Sequence, residues 1–364
     1  MSPFLRFFLF PFSILYGAAM ELRNLLYDKE VLKTTSFDFP VISTGNLTVG
    51  GTGKTPHTEY LIRLLRNKFK VATLSRGYGR KTKGFIIADE KSIAFTIGDE
   101  PLQMYNKFDN IIVSVGEDRV QAIKNLLIEK SQTEVILLDD AFQHRAVKPG
   151  LNILLTDYNK MFVHNHLLPG GTLREPTHGM KRADIIIVTR TPAIFSPLER
   201  RRVESEIRLA DHQHLFFSYI KYGEFMPAWK ESGSVVFSKE YYFDRGYSFL
   251  FFTGIANTRP LHIFFEERQM DTQYMEFRDH HIFTIEDIKK LELNFNSIAN
   301  PNKIIVTTEK DCMRLKDPAL MPLLQNLPIY YLPIEVEIHQ PGKTKFDKLI
   351  LDYVGKSKRN NRIS

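Results

Sequence analysis

The chain has one cysteine, Cys312, in 364 residues. A single thiol cannot close an intramolecular disulfide, and neither a cysteine zinc cluster nor a thiol relay can be built from it. This usage fits a reducing, cytosolic compartment. Also missing is any run of about 20 apolar residues, the length that spans a bilayer. The N-terminal stretch between Arg6 and Glu21 is uncharged but too short to cross comfortably. No internal repeat is visible. Charged residues make up 25% and hydrophobic ones 43%, which excludes a disordered chain.

What is present suits two domains with real cores. Net charge is +7 and the pI about 9.2. A basic balance suggests an anionic partner: nucleic acid, a phosphorylated substrate or an anionic membrane. Phenylalanine is common, at 28 residues, and is dense at the N-terminus, in "FLRFFLFPFSILYGAAMELRNLLYD". A signal peptide would use its basic start and the small Ala18 and Ala19, but would export a nucleotide-binding domain to a place without ATP. Two readings stand evenly on the pattern: a buried structural helix, or an interfacial helix starting near Pro11 with its aromatics in the lipid boundary.

Apolar runs alternate with helical patterns, the signature of a parallel sheet with crossover helices on both faces. Strands are expected at 39–44, 70–75, 109–115, 133–140, 151–157 and 183–190, and a helix at 117–130. After the charged helix 196–210 the strand-like runs "HLFFSYI", "SVVFS" and "YSFLFFTGI" crowd together, with "KIIVTTEKD" and "IYYLPIEVEI" later. This predicts a P-loop NTPase-like α/β domain and a smaller second α/β domain reached through a β-rich linker. The boundaries read as 1–30 for the aromatic helix, 31–212 for the core domain, 213–356 for the second domain with its linker, and 357–364 for a basic, solvated tail.

Between strand and helix lies "TVGGTGKT", residues 48–55. Thr48 replaces the usual leading glycine, but the physical logic survives. Gly50, Gly51 and Gly53, with Val49 before them and Thr52 among them, let successive backbone N–H groups turn inward around phosphate oxygens. The following helix points its positive end at them. Lys54 can reach the β- and γ-phosphates, and the Thr55 hydroxyl can hold Mg²⁺. A second metal-holding group belongs at the end of a neighbouring strand. Asp139 and Asp140, closing "VILLDD", supply it, with Asp157 as a weaker rival. Two buried aspartates are costly without a cation.

A GTPase switch would place a glycine soon after that aspartate and carry an Asn/Thr-Lys-x-Asp reader. Here Ala-Phe-Gln-His follows Asp140, and "TTEKD" has its lysine misplaced. Membrane-partitioning ATPases carry a second lysine where this chain has Val49. A kinase then needs a base near its acceptor. Asp99 and Glu100 of "TIGDEP" and Asp279, His280 and His281 of "FRDHH" are candidates, each as readily a cap or surface group. "LSRGYGRK" places Arg76 and other cations in a flexed loop, suited to an anionic substrate or equally to solvent.

Taken together, "NLTVGGTGKTP", "LSRGYGR", "GDEP", "LLDDAFQH", "PGGTLREP", "FRDHH" and "TTEKD" resemble, in this order, the tetraacyldisaccharide 4'-kinase family of Gram-negative bacteria. Ala141, Arg278 and "PGGTLREP" depart from the commoner family residues. The resemblance implies two α/β domains with a β-ribbon linker, and a docking helix at the cytoplasmic face of the inner membrane. It implies transfer of the γ-phosphate of ATP to the 4'-hydroxyl of the lipid A disaccharide 1-phosphate precursor, giving lipid IVA, with Mg²⁺. By motif position Lys54 and Thr55 bind triphosphate and metal, and Asp139 and Asp140 serve the metal and the loop. Asp99 with His280 is the base and Asp279 orients His280. Arg174 and Glu175 close on the phosphates and metal. A base dyad drawn from two domains would be complete only on closure, limiting idle hydrolysis. The reading predicts no nucleic-acid partner and no obligate protein partner. The competing functions are a membrane-bound P-loop ATPase switch without an acceptor, and a non-catalytic membrane scaffold.

Overall fold

The chain is seen in a computed structural model that describes residues 3–229, 236–255, 257–279, 281–317 and 319–360, with side chains described for 8–356 outside the same breaks. It divides into two compact units. The first takes the chain through Lys91, then Met104–Ile220, then from Val336 onward; the second takes Ser92–Gln103 and Lys221–Glu335.

The first unit is organised by a nine-stranded sheet. From one edge its strands are Ile334–Ile338, His214–Tyr222, Ile185–Thr189, Leu151–Asp157, Val41–Asn46, Val135–Asp139, Val71–Ser75, Ile112–Val115 and Ile86–Ile87. Pairing is parallel from His214–Tyr222 across to Ile112–Val115, and the short Ile86–Ile87 runs antiparallel at the edge. Val41–Asn46 and Val135–Asp139 are buried at every residue, which is why they read as continuous apolar runs. Ile42, Leu137, Ile153 and Ile187 are at most 1% exposed. Each such side chain contributes about 1.5–3 kcal/mol.

The second segment runs 221–335 rather than the expected 213–356, and residues 92–103 join it. Residues 336–356 were expected in the second domain. Phe346, Ile350 and Val354, spaced by four on the helix Gly342–Asn360, instead pack with Tyr60, Leu65 and Val336 in the core of the first unit. Helical spacing puts them on one stripe, and that stripe needs an apolar partner. Residues 357–360 of the expected tail continue this helix, while 361–364 lie outside the described residues. Residues 92–103, expected in the core domain, belong to the second unit.

The N-terminal helix runs Pro3–Asp28, so Pro11 lies inside it rather than at its start. Ser13 and Asn24 are buried on its inner side, whereas Phe8, Phe10, Phe12, Ile14, Leu15, Leu22 and Leu25 are each more than half exposed. Among the described residues no helix is long and apolar enough to cross a membrane.

The second unit has a five-stranded sheet in the order Met226–Pro227, Ile329–Leu332, Lys303–Thr308, Ser248–Thr253, Thr272–Glu276, parallel except at its short first strand. Its core is aromatic: Phe225, Tyr242, Phe249, Phe251, Phe264 and Phe265 are buried together. The run "IYYLPIEVEI" divides at Pro333, which has no N–H for a ladder, and its halves join different sheets. The chain leaves the first unit along His214–Tyr222 and returns along Ile334–Ile338, neighbours in the nine-stranded sheet. Of the expected strand 234–238, 236–238 are not extended into a sheet and 234–235 lie outside the described residues.

Candidate active site

The strand Val41–Asn46 ends where the loop 48–53 begins, and the helix Lys54–Leu65 follows without a side-chain cap. Gly53, its N-cap residue, is left-handed at φ 87°, and Gly50 has φ 101°. Side chains rarely adopt either value. A loop that aims N–H groups inward must turn its carbonyls outward and satisfy them there. The Gly50 carbonyl accepts from Asn46 Nδ2 at 3.4 Å and Lys54 Nζ at 3.5 Å. The Thr52 carbonyl accepts from Thr189 Oγ1 at 2.9 Å. Val49 N–H donates to the Thr172 carbonyl at 2.7 Å, tying the loop to the segment that carries Arg174 and Glu175.

Lys54 Nζ lies 3.6 Å from Asp140 Oδ2 and 3.5 Å from Asn46 Oδ1. Arg174 Nη1 reaches the other Asp140 oxygen at 3.3 Å. Asp140 is held at φ 50°, just past its strand, so its side chain turns away from that of Asp139. Asp139 accepts from Thr58 at 3.1 Å and Thr55 at 3.5 Å. Of the four expected metal ligands, therefore, Thr55 and Asp139 are brought together, while Asp140 faces two cations. Glu175 is 1% exposed and engaged by Arg182 at 2.8 Å, Gln143 at 3.0 Å and Asn24 at 3.4 Å. Asp157, the rival carboxylate, pairs with Arg190 at 2.7 Å. Among the described residues no three His, Cys, Asp or Glu side chains converge as a metal cage. A Mg²⁺ carried by a nucleotide needs one or two protein oxygens, with phosphate and water supplying the rest. Thr55 and Asp139 fit that demand.

Arg76 is exposed after the strand Val71–Ser75. Next to it in charge, and absent from the sequence reading, is Arg119, 3% exposed at the start of the helix Arg119–Glu129. Burial and then the Arg76 guanidinium depress its pKa to about 10, while Asp140 and Asp139 work the other way. Asn46 was also missed. It is a fully buried polar residue at the end of an apolar strand, which is itself a signal.

In the second unit Asp99 and Glu100 form the first turn of the helix Asp99–Lys107. Asp99 Oδ2 accepts from Arg314 Nε at 2.8 Å and Nη2 at 2.7 Å. Arg314 Nη1 also bonds Asp311 at 2.8 Å. Asp311 is fully buried and accepts from Thr253, Gly254 N–H and Thr308. Lys310 pairs with Glu100 at 2.8 Å. "TTEKD" thus supplies the framework behind Asp99. Asp279 is exposed after the strand Thr272–Glu276, and His280 lies outside the described residues. His281 bonds Asp287 at 2.8 Å and stacks on Phe277. The base candidate Asp99 belongs to the second unit, with 221–335, and not to the domain of the phosphate loop as expected.

A parallel sheet with a phosphate loop on one strand and an aspartate bonded to that loop's threonine on its neighbour defines a P-loop phosphotransferase. The family model described as Tetraacyldisaccharide-1-P 4'-kinase matches residues 5–354, and the chain belongs to this family of kinases. The Tetraacyldisaccharide 4'-kinase of Parabacteroides distasonis is 44% identical over 97% of this chain and 96% of its own. That of Flavobacterium johnsoniae is 45% identical over 96% and 97%. A crystal structure of "apo" form LpxK from Aquifex aeolicus in complex with ATP is 29% identical and superposes with a TM-score of 0.74, covering 96% of this chain and 99% of that one.

Proposed function

We propose that the protein transfers the γ-phosphoryl group of ATP to the 4'-hydroxyl of a tetraacyldisaccharide 1-phosphate lipid at the cytoplasmic face of the inner membrane. The observation that carries this is the loop whose glycine-borne amides, with Lys54 held between Asn46 and Asp140, lie beside the Thr55–Asp139 pair. Lys54 and Arg174 neutralise charge on the transferring phosphoryl group, and Asp140 keeps both cations in place until nucleotide arrives. Thr55 and Asp139 would hold Mg²⁺, which when bound draws charge from the β- and γ-phosphate oxygens. The sugar 4'-oxygen forms the new bond to phosphorus as the bond to ADP breaks. Its proton passes to Asp99, helped by His280, with Asp279 orienting His280. The phosphate loop belongs to the first unit and Asp99 to the second.

The exposed apolar side of the helix Pro3–Asp28 supports an interfacial seat that brings the protein to its lipid substrate. Ser13 bonded to Gly170 N–H at 2.9 Å and Tyr16 bonded to the Arg174 carbonyl at 2.7 Å hold that helix to the segment next to the phosphate loop. The test is ATP consumption with and without detergent-dispersed tetraacyldisaccharide 1-phosphate. A kinase consumes ATP stoichiometrically with phosphorylated lipid. Turnover independent of the lipid would favour an ATPase switch, and none in either case a scaffold.

A further inference from the structure

His57 is a 4%-exposed histidine on the helix that follows the phosphate loop, and no step above uses it. Its Nδ1 lies 2.7 Å from the Gly53 carbonyl and its Nε2 lies 2.9 Å from Ser218 Oγ. A carbonyl only accepts, so Nδ1 carries the proton and donates it, and Nε2 accepts from the serine hydroxyl. Ser218 is 1% exposed on the strand His214–Tyr222, three places across the sheet from the strand that leads into the loop.

The Gly53 carbonyl shares one rigid plane with the Lys54 amide. Holding the oxygen therefore sets where that N–H points. Backbone N–H of His57 adds a second, weaker bond at 3.1 Å to the same oxygen. Gly53 is left-handed and free of a side chain, so nothing of its own restrains the plane. Thr189 does the same for the preceding plane through the Thr52 carbonyl. We propose that His57 is a positioning residue that fixes the Gly53–Lys54 peptide and so aims the Lys54 amide at bound phosphate, with Ser218 holding the imidazole in the donating tautomer. The inference rests on reading the loop as a triphosphate site.

The test separates the two ring nitrogens. Asparagine places an amide N–H₂ near the Nδ1 position, and glutamine near Nε2. Mg-ATP affinity is measured by calorimetry on the full chain, with thermal midpoints and an amide spectrum of lysine-¹⁵N protein. His57→Asn is expected to bind Mg-ATP within about threefold of the parent, and His57→Gln to lose about tenfold, the cost of a misplaced phosphate contact. The Lys54 amide resonance should move in His57→Gln and stay in His57→Asn, before any nucleotide is added. Equal affinity of the two variants, or a better glutamine variant, overturns the proposal. So does an unmoved Lys54 resonance in His57→Gln. Should His57→Gln fail to fold, His57→Asn decides by the same two readings: a shifted Lys54 resonance with tenfold weaker binding overturns it. If the parent protein binds no Mg-ATP, the phosphate-loop reading itself falls and takes this inference with it.

Discussion

The two units build their chemistry from different materials. The phosphate loop is made of backbone. Its working groups are consecutive peptides between Thr48 and Thr55, and side chains from Asn46, His57 and Thr189 turn its carbonyls outward. The Asp99 site is made of side chains. Asp99 and the arginine that grips it are 215 residues apart, and Asp311 behind them is held by three further donors. Their cores differ in the same way, aliphatic around Ile42 and Leu137 in the first unit and aromatic around Phe249 and Phe251 in the second. A backbone site needs particular residues at consecutive positions and so leaves a local signature. A side-chain network needs only that distant residues meet.

The sharpest break of this comparison is Lys54→Ala, which leaves the backbone loop intact and removes its mobile charge. A loss on the order of 10³-fold in phosphoryl transfer is expected, because electrostatic stabilisation dominates this chemistry. It is read as kcat with saturating acceptor, alongside an unchanged circular dichroism spectrum. Near-parental turnover in a folded variant would remove the loop from the mechanism.

On the other unit, Asp99→Ala and His280→Ala are each expected to cost on the order of 10²-fold in kcat, with a double variant far short of the product. A double-mutant cycle at saturating ATP and lipid checks this. Multiplicative defects would leave Asp99 alone as base and His280 as a substrate-positioning group.

Replacing Phe10, Phe12 and Leu15 together by Ser should release the protein from vesicles of inner-membrane lipid without lowering its thermal midpoint. These side chains are 62%, 60% and 68% exposed, so folding gains little from them. Flotation with vesicles measures the first effect and calorimetry the second. A fall in stability with unchanged flotation would mean that they pack inward.

A smaller effect is expected at Asp287. Burial works to raise its pKa, but bonds from His281 and from Thr284 outweigh it, and the folded value lies below the ordinary one. A depressed carboxyl adds stability above its unfolded pKa and loses it as pH falls through the folded value. Asp287→Asn should therefore cost about 1 kcal/mol at neutral pH and progressively less in acid, measured by urea unfolding from pH 7 to 3. A cost that does not change with pH would mean that only the neutral capping bonds matter. The smallest effect concerns Cys312, whose burial pushes its thiol up to about 12. It should resist thiol reagents in the native protein and react fully in urea.

Much of the first unit was legible because its strands are buried on both faces and its loop obeys backbone rules. The strand Leu151–Asp157 falls where its apolar run predicts, and Gly50 and Gly53 sit at the positive φ values their composition suggests. What was illegible depended on partners chosen by the fold. Pro11 reads as a helix start, yet it lies within a helix that runs from Pro3. That Glu175 meets Arg182, Gln143 and Asn24 is set by the fold. Asp139 and Asp140 are neighbours in sequence, but a positive φ at Asp140 sends them to different tasks, one to Thr55 and Thr58, the other to Lys54 and Arg174.

By itself the sequence determined the α/β class and the phosphate loop, because periodic burial and backbone geometry restrict residue choice one position at a time, while the kinase family came from the resemblance of seven motifs in order. Tertiary structure alone decided that Asp139 meets threonine hydroxyls while Asp140 meets cations, that Phe346, Ile350 and Val354 complete the first core, and that Arg314 stands behind Asp99. Those outcomes are pairings between distant segments. Coulomb and packing energies act on separation in space, and chain separation carries no record of it.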